Sequence, residues 1–299
     1  MPESIPASIQ TVLCASDFSE TADLALEHAI ALARRHDARM LIAHVVEPIP
    51  LGPYPALMAP ENDLAIREMA VERAEEIAAR IRGGGLVADV RVDTGNPGPG
   101  LVTIAEDESA DLIVIGARGL TGFQHIMLGS TAEYVVRRSH CPVLTIHPED
   151  KVGVDPPQTV VLPTNLSPET TDSTDAFVAL FGEQRPKIIL TFADRTPPYL
   201  EPFRHDTLLK MNQRDVVKEE IERRMEGTVL HLQKAGFEVE TAVLDGDPVH
   251  VVTEFARERE ADLIVMTTHG RSAIINAILG KTAQRIVQHA PCPVLTVRP

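Results

Sequence analysis

The chain has 299 residues, 44% of them hydrophobic and 24% charged, and a formal net charge of -15. That length has room for two ordinary domains, each with a full core. The acidic balance argues against a nucleic-acid binder, which needs a basic face, and against docking on anionic membranes.

The first residues, Met1-Pro2-Glu3-Ser4-Ile5-Pro6, carry no basic region and no long apolar run, so no signal peptide is expected, and no stretch approaches a membrane span. Ile9 to Ala15 reads as a strand, Thr21 to Arg35 as a helix and Met40 to Val46 as a second strand. A segment with Pro48, Pro50, Pro53, Pro55 and Pro60 is too rich in proline for helix or central strand. Ile66, Ala70, Ala74, Ile77 and Ile81 then recur at three- and four-residue steps, the pattern of an amphipathic helix, which Gly83-Gly84-Gly85 ends. Leu86 to Val92 is a strand and Pro99 to Glu108 a helix. Asp111-Leu112-Ile113-Val114-Ile115 has the composition of a fully buried strand. A glycine-punctuated loop follows it, Gly116-Ala117-Arg118-Gly119, then nine residues, then Gly129-Ser130-Thr131 at the start of another helical pattern. Val143 to Ile146 closes this half.

The second half repeats the first. Asp111-Leu112-Ile113-Val114 returns as Asp262-Leu263-Ile264-Val265, and Cys141-Pro142-Val143-Leu144-Thr145 as Cys292-Pro293-Val294-Leu295-Thr296, both displaced by 151 residues. Gly95-Asn96-Pro97 returns as Gly246-Asp247-Pro248, and Gly119 as Gly270. Nearer the front the displacement is 148, so that Ala15-Ser16-Asp17-Phe18-Ser19 matches Pro163-Thr164-Asn165-Leu166-Ser167. The chain therefore divides into residues 1–148, a linker 149–157, and residues 158–299. The second copy has its own irregular insert at Thr196-Pro197-Pro198-Tyr199 and a long polar helix from Asp206 to Ala235.

Alternating strands and helices imply an α/β fold in two repeated, doubly wound domains, each with a parallel sheet covered by helices on both faces. Ligands of such sheets sit beyond the carboxyl ends of the strands, where strand order reverses. Asp17 and Gly116 both fall there. Glycines allow close approach of backbone amides, and a helix start offers N–H groups and a partial positive charge, which suits a phosphate. Arg118 reads more readily as a solvent-exposed side chain than as a phosphate clamp, and Asp17 is also a candidate cap for the helix beginning near Thr21. The eleven histidines show no metal-ligand spacing, and Cys14, Cys141 and Cys292 read as small buried residues of a protein in a reducing cytoplasm.

Gly-x-x-Gly, nine residues, then Gly-Ser, with Asp17 after the first strand, resembles the universal stress protein family in its tandem, ATP-binding form. The resemblance implies five-stranded parallel sheets in the order 3-2-1-4-5. It also implies pairing through the fifth strands, as an internal pseudo-dimer of the two domains and in a possible homodimer. Ala15 and Asp17 would contact adenine, and Val45, after His44, would line its pocket. Ile115, Gly116, Arg118 and Gly119 would flank ribose and phosphates. Gly129, Ser130 and Thr131 would hold phosphate oxygens, with magnesium accompanying the ATP. The implied role is a nucleotide-dependent sensor or regulator in stress response. Slow ATP hydrolysis and a dimerisation module without nucleotide are the alternatives; no carboxylate pair or positioned base supports the first.

The second copy departs at the site. Thr267 stands for Gly116, Lys281 for Ser130, Asn165 for Asp17 and Pro163 for Ala15. Thr267 adds a branched side chain that crowds a ligand and disfavours positive φ. Weak or absent ATP binding is expected there.

Overall fold

The computed structural model describes residues 9–48, 60–119, 128–151, 156–167, 170–194, 207–268 and 280–298. Most of the proline-rich segment, the insert at Thr196-Pro197-Pro198-Tyr199, linker residues 152–155, Gly270 and the loop between Gly119 and Leu128 lie outside them. The chain forms two compact units that divide near residue 155.

In the first unit the order is β1 (Thr11–Ala15), α1 (Glu20–His36), β2 (Arg39–Val46), α2 (Pro60–Gly83), β3 (Ala88–Thr94), α3 (Pro97–Asp107), β4 (Leu112–Gly116), α4 (Ser130–Arg138) and β5 (Val143–Ile146). The strands lie in the order β3-β2-β1-β4-β5, all parallel, as the doubly wound reading requires. The central strands β1 and β4 are buried nearly throughout, because helices cover both faces. Asp111 fixes their start: its Oδ2 accepts the backbone N–H groups of Gln10 and Thr11 at 2.7 and 2.9 Å. Asp262 does the same for Gln158 and Thr159 in the second unit.

That unit contains β6 (Thr159–Thr164), α5 (Thr170–Phe181), β7 (Lys187–Asp194), α6 (Thr207–Lys234), β8 (Val239–Asp245), α7 (Pro248–Glu258), β9 (Leu263–Thr267), α8 (Lys281–His289) and β10 (Val294–Val297). Within it the strands again run 3-2-1-4-5, as β8-β7-β6-β9-β10. One ladder is shorter. β1 and β4 stay paired as far as Ala15–Ile115, whereas β6 and β9 are paired at Val160–Leu263 and Val161–Ile264. Pro163, in the place of Ala15, has no N–H to offer a neighbouring strand.

Two helix starts correct the sequence reading, and proline explains both. α2 begins at Pro60, not near Ile66, and α3 at Pro97, not Pro99. Proline is well tolerated in a first helical turn, where its missing N–H has no intrahelical partner anyway. Asn96 caps α3 by accepting the N–H of Gly98, and Asp247 caps α7 in the same way. The recurring Gly-Asn/Asp-Pro triplet is thus a helix-start signal.

The three thiols are buried. Burial pushes Cys14 and Cys141 up to about 12, which leaves them as unreactive packing groups.

His28 on α1 is 7% exposed, and its Nε2 has no hydrogen-bond partner among the described residues. Burial holds its pKa below the model-compound value, against a smaller opposing pull from Asp150, the Lys151 backbone and Glu27. The unfolded chain therefore binds a proton at His28 more readily than the folded one does. The resulting stability is complete above about pH 6.5 and falls as pH drops below it towards the folded pKa. Thermal melts at pH 7.5 and 5.5 should show a larger acid loss in the parent chain than in His28→Leu. Equal losses would refute this assignment.

Candidate nucleotide site

The loop leaving β1 is built by side chains that stand in for backbone partners. Ser16 Oγ accepts the Phe18 N–H at 3.1 Å, and Phe18 takes the left-handed conformation at φ 62°. Asp17 Oδ1 accepts from Ser19 N–H at 3.1 Å and from Ser19 Oγ at 2.6 Å, while Ser19 Oγ accepts from Ala22 N–H at 3.2 Å. Ser19, then, is the cap of α1, and Asp17 braces the cap. Its carboxylate is held at the end of β1, facing the glycine-punctuated loop that follows β4.

At that loop the glycines are required by close approach. A Cβ on Gly119 would lie 2.3 Å from Asp17 Oδ2. One on Gly129 would lie 3.3 Å from the Ala117 carbonyl, which already accepts the Gly129 N–H at 2.8 Å. Gly116 ends β4, and a Cβ there would meet Thr21 Cγ2 at 3.0 Å. Positive φ is not the reason for a glycine at 116; contact with the start of α1 is. Gly129 is the N-cap of α4 and makes no side-chain cap, so Ser130 is the first helical residue and not the cap.

These segments enclose a cavity of about 380 Å³, within the size range of small-molecule sites. Ala15, Asp17 and Val45 line one side; Ile115, Gly116, Arg118 and Gly119 line the β4 loop; Gly129, Ser130 and Thr131 line the start of α4. All ten residues singled out from the sequence therefore border one space. His44, Glu47, Pro97 and Leu101 also border it. His44 is fixed by a 2.7 Å hydrogen bond between its Nδ1 and the Ser16 carbonyl, and its ring packs on Phe18 with centroids 4.6 Å apart. Pro97 and Leu101 belong to α3, whose start the Asn96-Pro97 pair signals. Glu47 has no comparable sequence signal.

The charges around the cavity are mixed. Asp17 and Glu47 are the carboxylates of its lining, and Arg118 is the only lysine or arginine there among the described residues. Arg118 is 23% exposed and pairs with Glu149 at 3.7 Å, so it is less solvent-exposed than its sequence suggests. Among the described residues no cluster of three His, Cys, Asp or Glu could hold a metal, and no helix is long and apolar enough to cross a membrane.

The second copy preserves the loop after its first strand and differs from copy one at the start of its last helix. Asn165 Oδ1 accepts the Ser167 N–H at 3.0 Å, Thr164 Oγ1 accepts the Leu166 N–H at 2.9 Å, and Leu166 has φ 60°. Thus Asp17→Asn165 keeps the turn and loses the charge. Gly280 caps α8, but a Cβ there would make an ordinary 3.6 Å contact with the Thr268 carbonyl. The contact with the corresponding carbonyl is tighter at Gly129 than at Gly280. The packing against Val45 also differs. In copy one a Cβ on Gly100 would lie 3.0 Å from Val45 Cγ2; copy two places Val251 and Ala193 at these positions, moving the bulk from strand to helix.

The comparisons with known proteins agree with this architecture. The pattern of the universal stress protein family matches residues 8–147 and again residues 157–298. A universal stress protein of Mycolicibacterium smegmatis is 25% identical over 295 residues, covering 96% of this chain and 97% of its own length. One from Thermus aquaticus is 36% identical over 139 residues, which are 46% of this chain and 98% of that protein. The crystal structure of a universal stress protein from Archaeoglobus fulgidus superposes with a TM-score of 0.70 at 20% identity, covering 98% of both chains. With both halves matched, the chain belongs to the universal stress protein family, as a tandem of two such domains.

Proposed function

We propose that this chain binds an adenine nucleotide, ATP in the first instance, in the cavity of its first domain, and acts as a nucleotide-dependent sensor or regulator in stress response. The observation that carries this reading is the convergence of Asp17, the Gly116–Gly119 loop and the Gly129–Thr131 helix start on one cavity. A Cβ at Gly119 would lie 2.3 Å from Asp17 Oδ2, and one at Gly129 3.3 Å from the Ala117 carbonyl, so both glycines leave room at the cavity that a larger residue would take. The fit is chemical as well as spatial. The N–H groups at the start of α4 suit phosphate oxygens, Asp17 can accept a hydrogen bond from an adenine amino group or a ribose hydroxyl, and Val45 and Leu101 offer an apolar wall. Magnesium would enter with the nucleotide, held by its phosphate oxygens. The same proposal makes the second domain a weak ATP binder or none, and places the protein in the reducing cytoplasm.

Calorimetric titration of the full chain with ATP tests it. Saturable binding near one equivalent per chain is expected, with a rise in melting temperature that grows with ATP concentration. Absence of heat and of any thermal shift would overturn the proposal. Titrations with ADP, AMP and a cyclic nucleotide rank the ligands.

A further inference from the structure

Among the described residues Arg118 is the one guanidinium lining the cavity, and it is already engaged. Its partner Glu149 lies just past β5, where the chain leaves the first domain for the linker. The turn carrying Glu149 is firmly held. Asp150 Oδ2 accepts the His147 N–H at 2.6 Å, the Asp150 N–H donates to the His147 carbonyl at 3.1 Å, and both side chains are buried. The β4 loop is tied to the same place, since Ala117 N–H donates to the Ile146 carbonyl at 2.7 Å. Glu149 itself is 73% exposed, so neither burial nor packing holds it to Arg118. A carboxylate is thus anchored by its neighbours beside the residue that an anionic ligand would attract.

We propose that Glu149 is a built-in competitor for the anionic end of the ligand, coupling occupancy of the cavity to the entrance of the linker. An entering phosphate draws Arg118 from Glu149, and by linkage anything that holds Glu149 to Arg118 weakens phosphate binding by the same factor. The inference rests on the nucleotide reading but makes its own claim about charge. An exposed pair of this kind contributes little, so removing it should change affinity by about two- to fivefold.

The experiment uses full-length protein, parent and Glu149→Gln, each with and without Arg118→Gln, titrated with ATP, uncharged adenosine and inorganic tripolyphosphate. Glu149→Gln should bind ATP and tripolyphosphate about two- to fivefold more tightly and adenosine unchanged, with a gain that shrinks as salt rises. In the Arg118→Gln background the gain should vanish. An equal affinity of parent and Glu149→Gln for both anions overturns the inference, and so does a gain that persists without Arg118. Should ATP and adenosine fail to bind while tripolyphosphate responds as expected, the adenine reading falls and the competitor stands. Should neither anion bind, both fall.

Discussion

Full-length protein carrying Gly119→Val loses nucleotide affinity by about 100-fold or more, equivalent to about 2.7 kcal/mol, while its folding stability falls by no more than about 2 kcal/mol. The first half of this expectation comes from geometry. The nearest atom to a Cβ at 119 is Asp17 Oδ2, at 2.3 Å, a separation that neither group can tolerate. One of them must move. Asp17 is held by two hydrogen bonds from Ser19, the cap of α1, so the Gly119 loop shifts or the carboxylate is dislodged together with the cap. Either movement displaces a wall of the cavity. The second half comes from exposure: Gly119 sits at the surface, outside the core. Titration and thermal melts on the same sample separate the two effects. Undiminished ATP affinity in a folded Gly119→Val protein would remove the ligand from this loop.

The loops facing the cavity were legible in the sequence because local chemistry sets them. Buried parallel strands read as unbroken apolar runs, as Leu112 to Ile115 does, and the turns after them must use glycine, serine or aspartate. The repeat then supplied the topology twice. What escaped were features that depend on residues distant in the chain. The sequence ties Gly116 to close approach of a ligand and to positive φ; the structure gives it no positive φ and sets the methyl of Thr21 3.0 Å from where its Cβ would be. Asp17 was a candidate cap, yet Ser19 is the cap and Asp17 its brace. Proline at 60 read as a breaker because its favourable role in a first helical turn depends on where the helix starts. The exchange of Gly100 and Val45 for Val251 and Ala193 joins a helix to a strand some 55 positions away, and no local pattern announces it. The pairing of Arg118 with Glu149 is of the same kind. The second copy therefore differs from the first in two ways. Thr267 and Lys281 stand where copy one has Gly116 and Ser130, and Pro163 lies in the strand whose ladder to β9 is the shorter one.

The second large effect tests whether the ligand belongs to the first domain alone. Phe177 on α5 is fully buried, with its ring 5.6 Å from Phe181 and 5.3 Å from Phe237, centroid to centroid. Copy one has Ala29 and Ala33 at the positions of Phe177 and Phe181, so this aromatic cluster is the second domain's own way of filling its core. Phe177→Ala removes a ring from a fully packed site, a change that costs about 3–5 kcal/mol. Two-step unfolding is the expected behaviour of two compact units, and the loss should appear in one step. ATP stabilises only the state to which it binds, so the step that ATP raises should keep its midpoint in the Phe177→Ala protein. Affinity for ATP should stay within about twofold of the parent, as expected for independent sites. Calorimetric melts with and without ATP read both quantities. If Phe177→Ala instead lowers the ATP-responsive step, or abolishes binding while the first domain stays folded, then the second domain carries the nucleotide and the first cavity must be assigned another ligand.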